Sequence, residues 1–410
     1  MKRYNTFIGQ QYLKILKYLT DKRKNISFDY KNEIEKYRKA SDLKTMNYLY
    51  EVISKKKINI DKPIVGYFCK TIPEEIIIAV GATPLRLCNQ DIYCAEIGEE
   101  IIPGDICPVI KAICGYLQND IKIDLLVIPA TCDGKTKLAE ILTPIFNDRI
   151  YFIDIPRNSD YIENIDLWES AYLKFYDYLK NRFKAKPSRK ELLSVCKMTN
   201  KRTEIFRKIY QLRGEKTGII NSFDYFILTS ASFYLSPSDW SEHAEILYKE
   251  LLGKVVKQNY RKRILLAGSP IIFPNFKILE IIEDSNCYIA SDILCSGYGH
   301  LFDPVKIDEE TELGIIRALT LKYIAPNLCP CFLGIDKLLN AILENMDKYT
   351  LDGVVYYNLR LCNVFEIEIP ILKDILKNKG IPLLVLKTDF SREDIGQLKT
   401  RLEAFIEMLK

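Results

Sequence analysis

Histidine is all but missing from this chain: 410 residues hold only His243 and His300. Imidazole-based acid–base chemistry and mixed His/Cys zinc sites therefore have almost nothing to draw on. A Ser-His-Asp hydrolase would need one of these two residues, and neither sits in a nucleophile-elbow context. Long apolar runs are lacking as well. With no run of about 18 apolar residues, no membrane span is expected. The opening stretch "MKRYNTFIGQQYLKILKYLTDKRKN" breaks its apolar positions with charge and offers no small-residue cleavage site, so it does not read as a signal peptide. Charge of one sign is not in excess: 59 Lys and Arg face 54 Asp and Glu, a net +5. That balance gives no support to a nucleic-acid partner. Glycine-rich nucleotide loops are missing too. G-x-G-x-x-G occurs nowhere, and "SGYGH" (296–300) is too short to be a fingerprint. "PATCDGKT" ends like a phosphate loop but puts Pro129, which has no amide hydrogen, where the first glycine must curl the backbone.

What is present is cysteine, twelve in all. Without a secretion signal, disulfides are not expected and the chain reads as reduced and cytoplasmic. Cys114, Cys196 and Cys287 fall within apolar helical or strand patterns, as small buried hydrophobes do. Others fall where strands end. Zinc spacing fails, because the one close pair, Cys329 and Cys331, has a single residue between its members rather than a repeated C-x-x-C. Iron–sulfur ligation fits better, since thiolates are the usual cluster ligands and can come from distant segments when strand ends bring them together.

An apolar fraction of 48% and a charged fraction of 28% are those of a globular protein, and the length exceeds one usual core. Residues 1–60 read as a polar-rich helical segment. A strand–helix alternation follows over 61–160, with strands at "IVGYFC", "PLRLC", "DLLVIPA" and "RIYFIDIP" and helices at "PEEIIIAVGA" and "CPVIKAICGYL". Residues 161–260 are long, charged and aromatic, a helical connector without clear strands until "DYFILTSAS". Alternation resumes over 261–410 with strands at "RILLAGSPI", "CYIASDILC", "GVVYYNLRLC" and "IPLLVLKTD", and Ser391 reads as the N-cap of the last helix. Buried, β-branched strands alternating with helices imply parallel sheets, so the expected fold is α/β with two similar Rossmann-like domains. "DLLVIPATCDGKTKLAEIL" and "DGVVYYNLRLCNVFEIEIP" share the order strand, cysteine, helix. Cysteines at the carboxyl ends of strands in both halves lie where open parallel sheets bind ligands.

"GYFCKTIPEEIIIAVGATPLRLC", "ICPVIKAICGYL" and "TCDGKTKLAE" resemble the N-terminal blocks of the 2-hydroxyacyl-CoA dehydratase and benzoyl-CoA reductase superfamily. "CDGKTK", "CSG", "PCF", "DGVVYYNLRLC" and "KTDFSREDIGQLKTRLEAFIEML" are similar to its double-cubane-cluster proteins, in blocks over roughly residues 61–410. The resemblance implies an oxygen-sensitive, anaerobic reductase. Low-potential electrons would come one at a time from a separate iron–sulfur activator that hydrolyses ATP, and a small-molecule substrate would be reduced at a double-cubane 8Fe–9S cluster. It assigns six ligands, Cys69, Cys107, Cys132, Cys295, Cys331 and Cys362, with Cys88 and Cys329 as rivals of Cys69 and Cys331. Glu74 and Glu75 are either helix first-turn acids or, by likeness to the dehydratase branch, proton donors. Gly134 is expected to allow a tight turn and Lys135 to be solvated. A homodimer is expected, with neither membrane nor nucleic acid as partner. The alternatives are a dehydratase subunit with a single 4Fe–4S cluster on Cys107, Cys132 and Cys362, or a non-catalytic cluster carrier. No stretch reads as a CoA-binding motif.

Overall fold

A computed structural model describes residues 30–55, 61–88, 90–102, 104–118, 122–256, 260, 262–325 and 327–409. The helical segment expected over 1–60 lies largely outside these residues. Its described part forms α1 (Lys31–Ala40) and α2 (Met46–Lys55).

The first alternating region runs β1 (Ile64–Tyr67), α3 (Glu74–Ala79), β2 (Thr83–Arg86), α4 (Ile92–Ile101), α5 (Pro108–Tyr116), β3 (Leu125–Pro129), α6 (Asp133–Phe146) and β4 (Ile150–Ile153). Four helices follow: α7 (Ile162–Arg182), α8 (Arg189–Glu215), α9 (Ser222–Ala231) and α10 (Pro237–Leu252). The second region runs β5 (Lys262–Gly268), α11 (Lys277–Asp284), β6 (Cys287–Asp292), α12 (Tyr298–Leu301), α13 (Glu312–Ile324), α14 (Ile335–Tyr349), β7 (Gly353–Leu359), α15 (Asn363–Asn378), β8 (Leu383–Thr388) and α16 (Ile395–Met408).

Each region builds one four-stranded sheet, ordered β2-β1-β3-β4 and β6-β5-β7-β8, and every strand pair is parallel. The two α/β halves share one topology. Of the four inner strands, β1, β3 and β7 are buried at every residue and β5 over its middle, which is why their sequences run apolar instead of alternating. In both halves the order reverses between the two central strands. That crevice, at the carboxyl ends, is where loops and helix N-termini gather.

Two local expectations change. "DYFILTSAS" falls in helix α9 and its C-cap, not in a strand: Asn221 caps the helix by accepting the Asp224 amide at 2.8 Å, and every residue of the stretch is buried. A short segment buried all round carries no period that separates helix from strand. The last helix begins at Ile395 after Asp394, so Ser391 is not its cap. Instead the Ser391 carbonyl accepts a hydrogen bond from Lys277 Nζ at 2.5 Å.

Candidate functional site

Eight of the twelve cysteines line one cavity of about 300 Å³ between the carboxyl ends of the two sheets. Cys69 and Cys88 follow β1 and β2, Cys295 follows β6, and Cys329 and Cys331 lie between α13 and α14. Cys107, Cys132 and Cys362 are the N-caps of α5, α6 and α15. A helix N-terminus presents unpaired amides and the positive end of its dipole, which favours the thiolate over the thiol. All six cysteines expected as ligands are drawn together, and so are both rivals, Cys88 and Cys329. Cys94, Cys114, Cys196 and Cys287 are fully buried elsewhere.

The register relates the two sets. Tyr67 pairs with Val127 and Gly268 with Tyr357, and Cys132 lies as far beyond Val127 as Cys362 does beyond Tyr357. By the same register Pro270 stands where Cys69 does, so β5 contributes no thiol. The second half supplies two cysteines before α14 where the first supplies one before α5. Beside Pro270, Gly268 has φ +105°, and a Cβ there would collide with the Tyr357 carbonyl oxygen. Only glycine fits. The following Ser269 lines the cavity, and its hydroxyl accepts the Leu359 amide at 3.1 Å.

The sulfurs interact across the halves. Cys331 interacts with both Cys132 and Cys329, and sharing its proton with them pushes its own pKa well up and theirs down, Cys132 to about 5 and Cys329 to about 6. Burial opposes both downward shifts, and the Lys135 charge assists them. Cys362 donates to Cys107 and is raised while Cys107 is lowered. Burial pushes Cys295 up to about 11 against the pull of Arg86.

Sequence reasoning missed the cations of the site. Lys70, Arg86 and Lys135 all line the cavity. Lys135 is half-buried, not freely solvated: its ammonium donates to Thr131 Oγ1 at 2.8 Å, and although burial opposes its charge, Cys69, Cys132, Cys331 and Cys329 hold it protonated. Gly134 makes no tight turn. It lies in the first turn of α6, where a Cβ would meet Ile110 Cγ1 at 3.0 Å, so it permits close packing. The neighbouring cysteines were the available signal, because an arginine inside "LRLC" and a lysine after Cys69 must follow the thiols to the same strand ends.

Glu74 and Glu75 are not among the residues lining this cavity. Glu74 receives both terminal nitrogens of Arg202, Nη1 at 3.2 Å and Nη2 closer. Glu75 accepts from Lys322 at 2.7 Å, Tyr323 at 2.8 Å and Thr199 at 3.1 Å, and although burial works against its charge these partners hold its carboxyl below the usual range. Neither histidine lines the cavity: His243 stacks on Tyr48 at 3.9 Å, and His300 is buried against Phe233.

Among the described residues no three His, Cys, Asp or Glu side chains close on a point as around a single ion. The thiols line a cavity, a placement compatible with a polynuclear iron–sulfur group. Eight soft donors with cations beside them suit such a group and its negative charge.

Fold and site together define a class: two like parallel-sheet halves with a thiol-rich cavity at their facing carboxyl ends. The chain belongs to the 2-hydroxyglutaryl-CoA dehydratase D-component family, whose model matches residues 69–409. It is similar to a putative dehydratase subunit, YjiM, of Escherichia coli K12, at 27% identity over 85% of this chain and 91% of the relative. Similarity extends to the β subunit of (R)-2-hydroxyglutaryl-CoA dehydratase from Acidaminococcus fermentans, 24% identical over 92% of this chain and 98% of that protein. A benzoyl-CoA reductase subunit of Thauera aromatica is 22% identical over 87% and 93% respectively. The family is thus one of dehydratase and reductase subunits. Among the described residues no helix is long and apolar enough to cross a membrane.

Proposed function

We propose that this protein is an iron–sulfur reductase that accepts low-potential electrons singly from a separate, ATP-hydrolysing iron–sulfur activator. It passes them to a small molecule at a double-cubane 8Fe–9S cluster in the eight-cysteine cavity. Bound there, the cluster supplies the electron chemistry. The chain's own residues do the rest. Cys69, Cys107, Cys132, Cys295, Cys331 and Cys362 are the first choice of ligands, and Cys88 and Cys329 are within the same cavity to replace Cys69 and Cys331. Lys70, Arg86 and Lys135 offset thiolate and cluster charge, and Phe68, Val109, Ile110, Leu359 and Phe365 give the cavity apolar walls. The observation that carries the reading is the contribution of four thiols from each half to a single cavity. No phosphate loop lies in the chain, which supports assigning ATP hydrolysis to a partner. The protein works as a homodimer in a reducing, cytoplasmic compartment.

One observation favours a second reading. Cys107, Cys132 and Cys362 alone are helix N-caps, and those three suffice for one 4Fe–4S cluster in a dehydratase subunit of the kind several relatives are named for. Anaerobic purification with iron and sulfide determination decides. About eight irons per chain supports the double cubane, about four the single cluster, and none removes both. A Cys295→Ser, Cys331→Ser double variant should retain about half its iron and lose reduction, because a serine hydroxyl stays protonated and ligates iron poorly. Full iron and activity in that variant would leave the single-cluster reading standing.

A further inference from the structure

Beside the cysteine cavity lies a second, larger groove of about 690 Å³, open to solvent. The two spaces share Ile106, Leu361 and Asn363 as lining residues, so they meet along the chain just before Cys107 and on both sides of Cys362. Leu361 sits at this junction with φ +64° and is 40% exposed. A leucine in the left-handed region is strained, and an apolar side chain left in the open gains nothing from burial. Strain of this kind persists where the surrounding structure holds a residue at a functional position.

The charges of the groove are closed among themselves. Lys111 pairs with Glu99 and donates to the Gly104 carbonyl at 2.7 Å. Arg360 pairs with Asp389 at 3.2 Å and Asp394 at 3.6 Å. Lys387 pairs with Glu366. Glu96 is exposed on the same wall and brings the carboxylates lining the groove to four against three cations, among the described residues. Every lining cation thus has a carboxylate beside it, and the sum is slightly negative. A polyphosphate or polycarboxylate entering here would have to displace those carboxylates and would meet repulsion from the remainder.

We propose that this groove is the route to the cysteine cavity, that Leu361 is its threshold, and that its charge balance admits small uncharged or cationic molecules in preference to polyanions. The inference rests on the cavity being the cluster site and names the substrate class for it.

Iron release from the anaerobic, dithionite-reduced protein tests the route without using turnover. The probes are bipyridine, which is neutral, and its dicarboxylate derivative, which shares the ring system and carries negative charge. Bipyridine should strip iron on the order of tenfold faster than the dicarboxylate, after correction for their rates with a small iron–sulfur complex. Leu361→Ala should accelerate both reagents and Leu361→Phe should slow both. Glu96→Lys, at an exposed position, should shrink the preference for the neutral reagent. Equal corrected rates, or rates indifferent to Leu361, would overturn the route and leave the cluster site intact. Protein that binds no iron at all would overturn the cluster reading and this proposal with it.

Discussion

The Arg86 guanidinium, at the end of the first sheet, donates to the Cys295 carbonyl beyond the second sheet at 3.0 Å and lies 3.7 Å from the Cys295 sulfur. It also rests 4.7 Å from the Phe233 ring and is 3% exposed. One side chain thereby ties both halves at the site. Arg86→Gln should lower the unfolding free energy by about 1.5–3 kcal/mol, the range for a buried hydrogen bond from a charged group. Denaturant titration of the metal-free chains measures this. An unchanged midpoint would show that the bond across the halves contributes nothing.

Lys135 makes a different prediction, because its charge faces sulfur rather than carbonyl. Lys135→Met keeps the stem and removes the charge. The loaded variant should retain its iron, while its midpoint potential should fall by on the order of 60 mV, a tenfold shift in a one-electron equilibrium. The sign follows from charge: a nearby cation favours the reduced, more negative cluster. A potential that stays put or rises would refute this role, as read in a redox titration followed by visible absorbance.

Glu74 and Arg202 are both buried and face each other in a closed pair. Removing one partner strands a charge in the interior, which costs about 3–5 kcal/mol. Arg202→Met should therefore be strongly destabilised, and Arg202→Met with Glu74→Met should recover much of that loss. Thermal or urea unfolding of the two variants provides the comparison. If Glu74 instead moved protons at the site, Glu74→Gln would abolish reduction while leaving stability near that of the parent.

Burial pushes the Asp224 carboxyl from 3.8 up to about 7, partly opposed by hydrogen bonds from Ser41 and Tyr50. The folded state then binds more protons than the unfolded state between those two values. Unfolding free energy accordingly falls as pH rises through that window and levels off above it, by at most about 1.4 kcal/mol per pH unit. Asp224→Asn removes the titration. The stability difference, parent minus variant, should fall steadily from about pH 4 to about pH 7. A difference that is flat or rises with pH would contradict the assignment.

The sheets were legible because a buried parallel strand leaves a local trace: "DLLVIP" and "GVVYYNL" are continuous apolar runs followed at once by a helical pattern. Cys69, Cys88, Cys132, Cys295 and Cys362 were legible for the same reason, since each stands just beyond a strand, whereas Cys107, Cys329 and Cys331 stand between helices. Pairings across the chain were not. Nothing near "PEEIII" announces that Arg202 and Lys322 will close on its two carboxylates. Lys135 looked like a loop residue because "CDGKT" is polar. In the fold it belongs to a helix whose first turn points into the cavity. Leu361 carries no sequence signal at all, because a positive φ on leucine is imposed by the strand end and helix start on either side.

Thiols drawn equally from two like sheets have a consequence for how the chain comes apart. A group bound by only one sheet would stabilise that sheet alone. The proposed group, held by Cys132 and Cys362 together, would act as a clasp, and its binding energy would count toward the joint between the halves. Loss of the proposed group would weaken that joint, which the apolar core running through both halves still holds.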